Sequence, residues 1–204
     1  MARRTKDEAE QTRHAILDAA EKVFHKHGVA RTSLEEIARA AKVTRGAVYW
    51  HFRDKIELLE AMCQRVFLPQ EDVLESLAAA ESHTPLHDLK KACTDALCLI
   101  AKDRRRRRIT TILYQRCEYV EDMAAIIHRR RECKDRMLER CQRLFERAKK
   151  LKQLAPGWTP RMAAVTLQAL MSGLIINGLE GRKEFDLAKA APTCLEAFFK
   201  SLSA

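Results

Sequence analysis

The chain has 204 residues, a formal net charge of +10 and 47% hydrophobic residues, with only 6 Gly and 5 Pro. That composition supports a buried core and excludes a disordered, collagen-like or low-complexity chain. The length suits one domain, or a small module on a larger body.

The charge excess is unevenly placed. Residues 102–152 hold 18 Lys/Arg against 8 Asp/Glu, whereas residues 1–60 hold 12 against 10. Within the basic stretch, Arg104 to Arg108 occupy five consecutive helical positions and point around the whole helix. They read as a solvated run with salt bridges to Asp103, Glu118 or Glu121, not as a binding stripe. Unbroken apolar runs are short, as at Gly173-Leu174-Ile175-Ile176, and Met1-Ala2-Arg3-Arg4 leads into polar residues. No bilayer span, no membrane partner and no secretory signal are expected, and the location expected is cytoplasmic. The seven cysteines are odd in number and never spaced C-x-x-C, which reads as free thiols in a reducing compartment. His25-x-His27 and His83-x-x-x-His87 lack metal-ligand geometry, and no phosphate loop or nucleophile elbow is present. No metal, cofactor or catalytic site is expected.

Apolar residues recur at three and four throughout, so the fold class is all-α. In the first helix Ile16, Ala20, Val23 and Phe24 share a face, and Lys26-His27-Gly28-Val29 marks its end, with Gly free to take the left-handed position. Ser33-x-x-Glu36 is a capping box opening a second helix over 34–41. Lys42-Val43 makes a tight turn, Thr44 caps a third helix over 44–52, and Asp54 caps a fourth from about 55 to 80. Pro69 is expected to kink or divide that fourth helix. Thr84 as N-cap before Pro85 opens a helix over 85–102, followed by helices over 104–117, 121–152, 160–179 and 186–202. About nine helices result: a three-helix amino-terminal module, 1–54, and a larger helical body, 55–204.

Two short helices around a tight turn form a helix-turn-helix, whose second helix enters the major groove. Arg45 and Tyr49 share one face of that helix, and Val48 and Phe52 share another that can pack inward. Gly46 lets the backbone approach DNA, and Thr44 can both cap the helix and face phosphate. The run Thr44-Arg45-Gly46-Ala47-Val48-Tyr49-Trp50-His51-Phe52, with Arg31-Thr32-Ser33-Leu34-Glu35-Glu36-Ile37-Ala38 and Asp54-Lys55, resembles the TetR family of transcriptional repressors. The opening Ala2-Arg3-Arg4-Thr5-Lys6 and the Tyr-Trp-His-Phe run are similar to its AcrR/TtgR branch, which represses multidrug efflux operons.

The resemblance implies roles. Arg45 and Tyr49 would meet base edges and thymine methyls, with Thr44 and Gly46 beside them. Thr32, Ser33, Trp50, His51 and Lys55 would hold phosphates, and Arg3 and Arg4 would form an arm reaching a neighbouring groove. Lys42 stands where the family usually has Gly; a left-handed backbone there costs a side chain about 1 kcal/mol, which a phosphate contact could offset. A double-stranded, near-palindromic operator and a homodimer follow. For the dimer face, the helix 160–179 offers Ala163, Ala164, Ala169 and Gly173, and the helix 186–202 offers Leu187, Leu195, Phe198, Phe199 and Leu202. The resemblance also implies a small hydrophobic inducer held in the body. By position its lining would be Phe67, Cys93, Leu97, Thr110, Tyr114, Met137, Cys141, Leu167 and Met171, with Gln168 or Asn177 orienting a polar group. An alternative within the same fold is a redox-sensing repressor using Cys117 or Cys133 near the arginine-rich segment.

Overall fold

A computed structural model describes residues 6–117, 124–181 and 184–203 of the chain. All its regular elements are helical among the described residues. They form two compact units: Met1–Val66 with Arg108–His128, and Phe67–Arg107 with Arg129–Ala204.

The first unit contains α1 (Lys6–His27), α2 (Leu34–Ala41), α3 (Arg45–His51) and the opening of α4 (Lys55–Ala79). It also takes the end of α6 (Arg104–Thr111) and the π-helical turn Ile112–Arg116 that continues it. Ile16, Leu17 and Phe24 of α1, Ile37 of α2, Val48 of α3, and Phe52, Leu58, Leu59, Met62 and Ile109 are buried. Each such side chain removed from water contributes about 1.5–3 kcal/mol before entropy is counted. This burial is why helices as short as α2 and α3 persist, since eight residues in isolation would not.

Local chemistry fixes where these helices begin and end. Gly28, at φ 84, stops α1 while its N–H donates to the Phe24 carbonyl at 2.9 Å. The next N–H, of Val29, donates to the Arg116 carbonyl at 3.0 Å, tying the π-helical turn to the α1–α2 connection. At α2 the capping box closes both ways: the Glu36 N–H donates to Ser33 Oγ at 3.2 Å, and the Ser33 N–H donates to the Glu36 carboxylate at 2.8 Å. The Ser33 N–H first, and the Ser33 hydroxyl that donates to the same carboxylate at 3.2 Å after it, hold the Glu36 carboxyl below its ordinary pKa. Asp54 Oδ1 accepts the N–H groups of Ile56 and Glu57 at 2.8 Å each, opening α4.

The second unit is built from the remainder of α4, α5 (Pro85–Lys102), most of α7 (Ala124–Lys150), α8 (Pro160–Leu179) and α9 (Leu187–Leu202). Its core joins Leu89 and Leu97 of α5, Phe145 of α7, Leu167 of α8 and Leu195 and Phe199 of α9. The Phe145 and Phe199 rings stack with centroids 6.3 Å apart. Gly178 lets α8 and α9 meet: a Cβ there would lie 2.9 Å from the Leu187 side chain.

Three expectations change. Pro69 does not divide α4, which is continuous through it, with Val66 buried before it and Leu74 buried after it. Thr84 holds the N-cap position of α5 ahead of Pro85, but without a side-chain cap bond; its hydroxyl faces Asp88, and the Thr84 N–H donates to Ser82 Oγ at 2.9 Å. Leu187, Leu195, Phe199 and Leu202 of α9 are buried in their own unit's core, as are Ala163 and Ala164 of α8, so none of them offers a face to a partner. Helix α8 has the length and composition of a membrane span, with a mean hydropathy of 1.6, yet it packs Ala163, Ala164, Leu167 and Leu174 into this core.

The arginine run is also more structured than a solvated run. Asp103 caps α6, accepting the Arg105 N–H at 2.8 Å and the Arg106 N–H at 3.1 Å. Arg107 donates to the Gly178 carbonyl at 2.8 Å, at the end of α8 where carbonyls lack helical donors. Arg108 pairs at 2.7 Å with Glu21, whose side chain is only 4% exposed. Arg104 and Arg105 remain exposed. Glu118 and Glu121 lie outside the described residues.

Candidate nucleic-acid interface

Helix α3 stands on a well-defined turn. Lys42 takes φ 57 and ψ 38, the left-handed conformation. Its N–H donates to Arg39 O at 3.2 Å, and the Val43 N–H reaches back to Ala38 O at 3.0 Å, satisfying the last carbonyls of α2. The sequence therefore places a lysine where the backbone favours glycine, and the turn forms regardless. Lys42 is exposed. Thr44 then caps α3 by accepting the Ala47 N–H at 3.2 Å.

Val48 and Phe52 anchor α3 in the core, which turns its opposite face to solvent. There Trp50 is 73% exposed and Tyr49 is 47% exposed, two adjacent aromatic side chains that form a contiguous exposed patch. The Arg45 guanidinium donates to the Glu35 carboxylate of α2, and its Nη2 lies 3.5 Å from the Tyr49 hydroxyl. Arg45 Cζ also sits 5.3 Å from the Tyr49 ring centroid, a cation–π geometry. Tyr49 first, and Glu35 after it, hold the guanidinium above its ordinary pKa, so it remains a cation. A side-chain Cβ at Gly46 would find nothing nearer than Thr44 Oγ1 at 4.0 Å, so the backbone here is open to an incoming molecule. The His51 ring packs edge-on against Trp50 with centroids 4.5 Å apart.

Not every predicted contact residue shares this surface. Thr32 is buried and its hydroxyl donates to the Gly28 carbonyl at 2.7 Å. The Lys55 ammonium donates to the Val29 and Ala30 carbonyls at 3.1 and 3.0 Å, bracing the α1–α2 connection. Ser33 is exposed with its hydroxyl engaged in the cap. Arg3 and Arg4 lie outside the described residues. Sequence reasoning passed over Glu35, Arg13 and a basic cleft. Arg13 Cζ sits 5.4 Å from the Phe52 ring centroid, bracing the end of α3. Lys26, His27, Gly28, Arg31, Gln115 and Arg116 line an open cleft of about 340 Å³ in the same unit. Residues 45 and 35 lie on different helices, so no single-helix periodicity could pair them.

The expected ligand residues divide. Cys93, Leu97, Cys141 and Leu167 are buried in the second unit's core, with Met137 and Met171 packed against it. Gln168 donates to the Lys134 carbonyl at 3.1 Å and Asn177 to the Gly173 carbonyl at 2.8 Å. Thr110, buried, and Tyr114 belong to the first unit. The side chain of Phe67 lies outside the described residues. Burial pushes the Cys141 thiol up to about 12 and also raises Cys93, so both stay protonated and poorly nucleophilic.

Comparison with known proteins agrees with this geometry. Residues 16–62 match the model for bacterial regulatory proteins of the tetR family, and residues 84–204 match the MAATS-type transcriptional repressor C-terminal region. The transcriptional repressor BepR of Brucella suis is 40% identical over 202 residues, 99% of this chain and 97% of that protein. The crystal structure of NalD, the secondary repressor of the MexAB-OprM multidrug efflux pump in Pseudomonas aeruginosa, superimposes with a TM-score of 0.87 at 42% identity. That match covers 97% of this chain and 98% of NalD. SmeT in complex with triclosan gives a TM-score of 0.87 at 34% identity, covering 95% and 92%. The redox alternative finds no support in these relatives. With an exposed, aromatic and cationic face on α3, and relatives matched over almost their whole length, the chain belongs to the TetR family of transcriptional repressors.

Proposed function

We propose that the protein represses a multidrug efflux operon, binding a near-palindromic double-stranded operator as a homodimer and leaving it when a small hydrophobic molecule binds. The observation that carries this reading is the solvent-facing cluster of Arg45, Tyr49, Trp50 and Gly46 on a helix whose other face is locked into a core. Arg45 would bond a guanine edge, Tyr49 would pack on thymine methyls, and Thr44, Ser33, His51, Trp50 and Lys42 would meet phosphates or sugars. Thr32 and Lys55 act behind that surface, shaping the α1–α2 connection from inside.

The dimer rests on α8. Met162, Val165, Ala169, Gly173 and Ile176 recur at three and four along its outer side, apolar or small and open to solvent. A second copy covers this stripe in our reading, which puts two reading helices on successive major grooves. Inducer binding draws on the soft, adaptable lining of Met137, Met171, Cys93, Cys141, Leu97 and Leu167, and it shifts occupancy only by its differential affinity for two conformations. Cytoplasmic location follows from contact with DNA.

Footprinting upstream of the protein's own gene, followed by release with triclosan and other hydrophobic drugs, tests this. Protection of a palindromic site that is lost on adding a drug supports it. A protein that protects no site, or whose footprint no hydrophobic compound disturbs, overturns it.

A further inference from the structure

Glu35 sits in the first turn of α2, exposed, beside a helix start already closed by the Ser33 and Glu36 box. The cap does not need it. Its carboxylate instead reaches across the turn to Arg45, ten residues on, at the first position of α3. A cation at a helix amino terminus is disfavoured by the helix dipole, so the neighbouring carboxylate keeps Arg45 in place where the dipole would not. Both side chains are more than half exposed, which makes the pair cheap to rearrange and sensitive to whatever charge approaches it. Tyr49 holds the same guanidinium from the other side.

We infer that Glu35 is a specificity-determining residue that positions Arg45 and penalises its capture by phosphate. The inference rests on Arg45 being a base reader. A guanidinium has five N–H donors in a fixed fork, so a contact from Nη1 to Glu35 leaves donors free for the N7 and O6 of guanine. A guanine edge is neutral and accepts those donors with Glu35 still in place. A backbone phosphate is anionic, and drawing Arg45 onto it brings the Glu35 carboxylate against a second negative charge. Mismatched sites offer chiefly phosphate, so the carboxylate weakens binding to them more than to the matched site. This is discrimination by a built-in repulsion.

The test uses the full-length protein and two probes: a duplex enriched by the wild type from a random-sequence library, and the unselected library itself. Glu35→Gln keeps the shape and removes the charge. It is expected to tighten binding to the unselected library by about tenfold and to steepen the salt dependence by about one counterion, with little change on the enriched duplex. In an Arg45→Ala background, Glu35→Gln should leave the ratio between the two probes where Arg45→Ala alone put it. A selectivity ratio unchanged by Glu35→Gln in the wild-type background overturns the inference. So does an equal effect in the Arg45→Ala background, which would make Glu35 a direct repellent of DNA. If Arg45→Ala keeps full selectivity, the assignment of Arg45 as a reader fails instead, so the two failures are separable. Matched thermal unfolding of each variant and the wild type excludes a folding defect.

Discussion

Large apolar side chains reach solvent in both compact units, but their neighbours differ. Around Tyr49 and Trp50 stand Arg45, His51, Thr44 and Lys42, so the aromatic surface is threaded with donors and positive charge. Around Met162, Val165 and Ile176, which are 53, 45 and 44% exposed, the outward positions of α8 carry no charge between Arg161 and Glu180, and only Thr166 and Asn177 among the exposed ones are polar. The first surface suits a polyanion with flat bases and methyl groups. The second suits a copy of itself. Exposure alone does not separate them; the chemistry of the residues at three and four does.

Charge placed in the α8 stripe has the largest expected effect. Val165→Glu with Ile176→Glu should abolish the dimer in sedimentation velocity and cost at least a hundredfold in operator affinity, because an unpaired carboxylate buried in an interface costs several kcal/mol. A dimer that survives would remove α8 from the interface. Next in size, Arg45→Ala and Tyr49→Ala should each weaken operator binding by about 1–3 kcal/mol while leaving the dimer and the thermal midpoint unchanged. Selectivity retained by both variants would move the reading surface elsewhere.

Smaller effects probe the scaffold beneath the reading helix. Lys42→Gly should raise stability by up to about 1 kcal/mol in chemical denaturation, since the left-handed backbone at φ 57 penalises a side chain. His25 gives a pH signature. Burial first, and then Arg108 and Arg116, depress its pKa below the ordinary value of 6.5. As pH falls from 6.5 toward that lowered value, the unfolded chain takes up a proton that the folded chain resists, so stability declines over that window and is restored above it. His25→Gln should flatten the decline in denaturant midpoints. An unchanged profile would mean that another group is responsible.

The helix limits were legible because their signals are local. Gly28, the Ser33 and Glu36 box, Thr44 and Asp54 each act within four residues of themselves, and the structure shows each bond. What stayed hidden depends on partners far along the chain. Lys55 reads as a phosphate ligand until its carbonyl partners, 25 and 26 residues earlier, are seen. Arg108 reads as solvated until Glu21, 87 residues away, is found against it. Periodicity likewise told that α9 has an apolar face without telling which surface it meets; Leu195 and Phe199 turn inward to Phe145, not outward to a partner. The ligand residues were the least legible, because Met, Cys and Leu look alike whether they fill a core or line a pocket.

In the proposed function the exposed surface of α3, and not the net charge, chooses the operator. Arg104→Gln with Arg105→Gln removes two exposed charges from the most basic stretch of the chain without touching the Arg107 and Arg108 contacts. Affinities of this variant for an enriched operator duplex and a scrambled one, measured across a salt series, test the claim most directly. Weaker binding to both duplexes, a shallower salt slope and an unchanged ratio between them are expected. A changed ratio would contradict it.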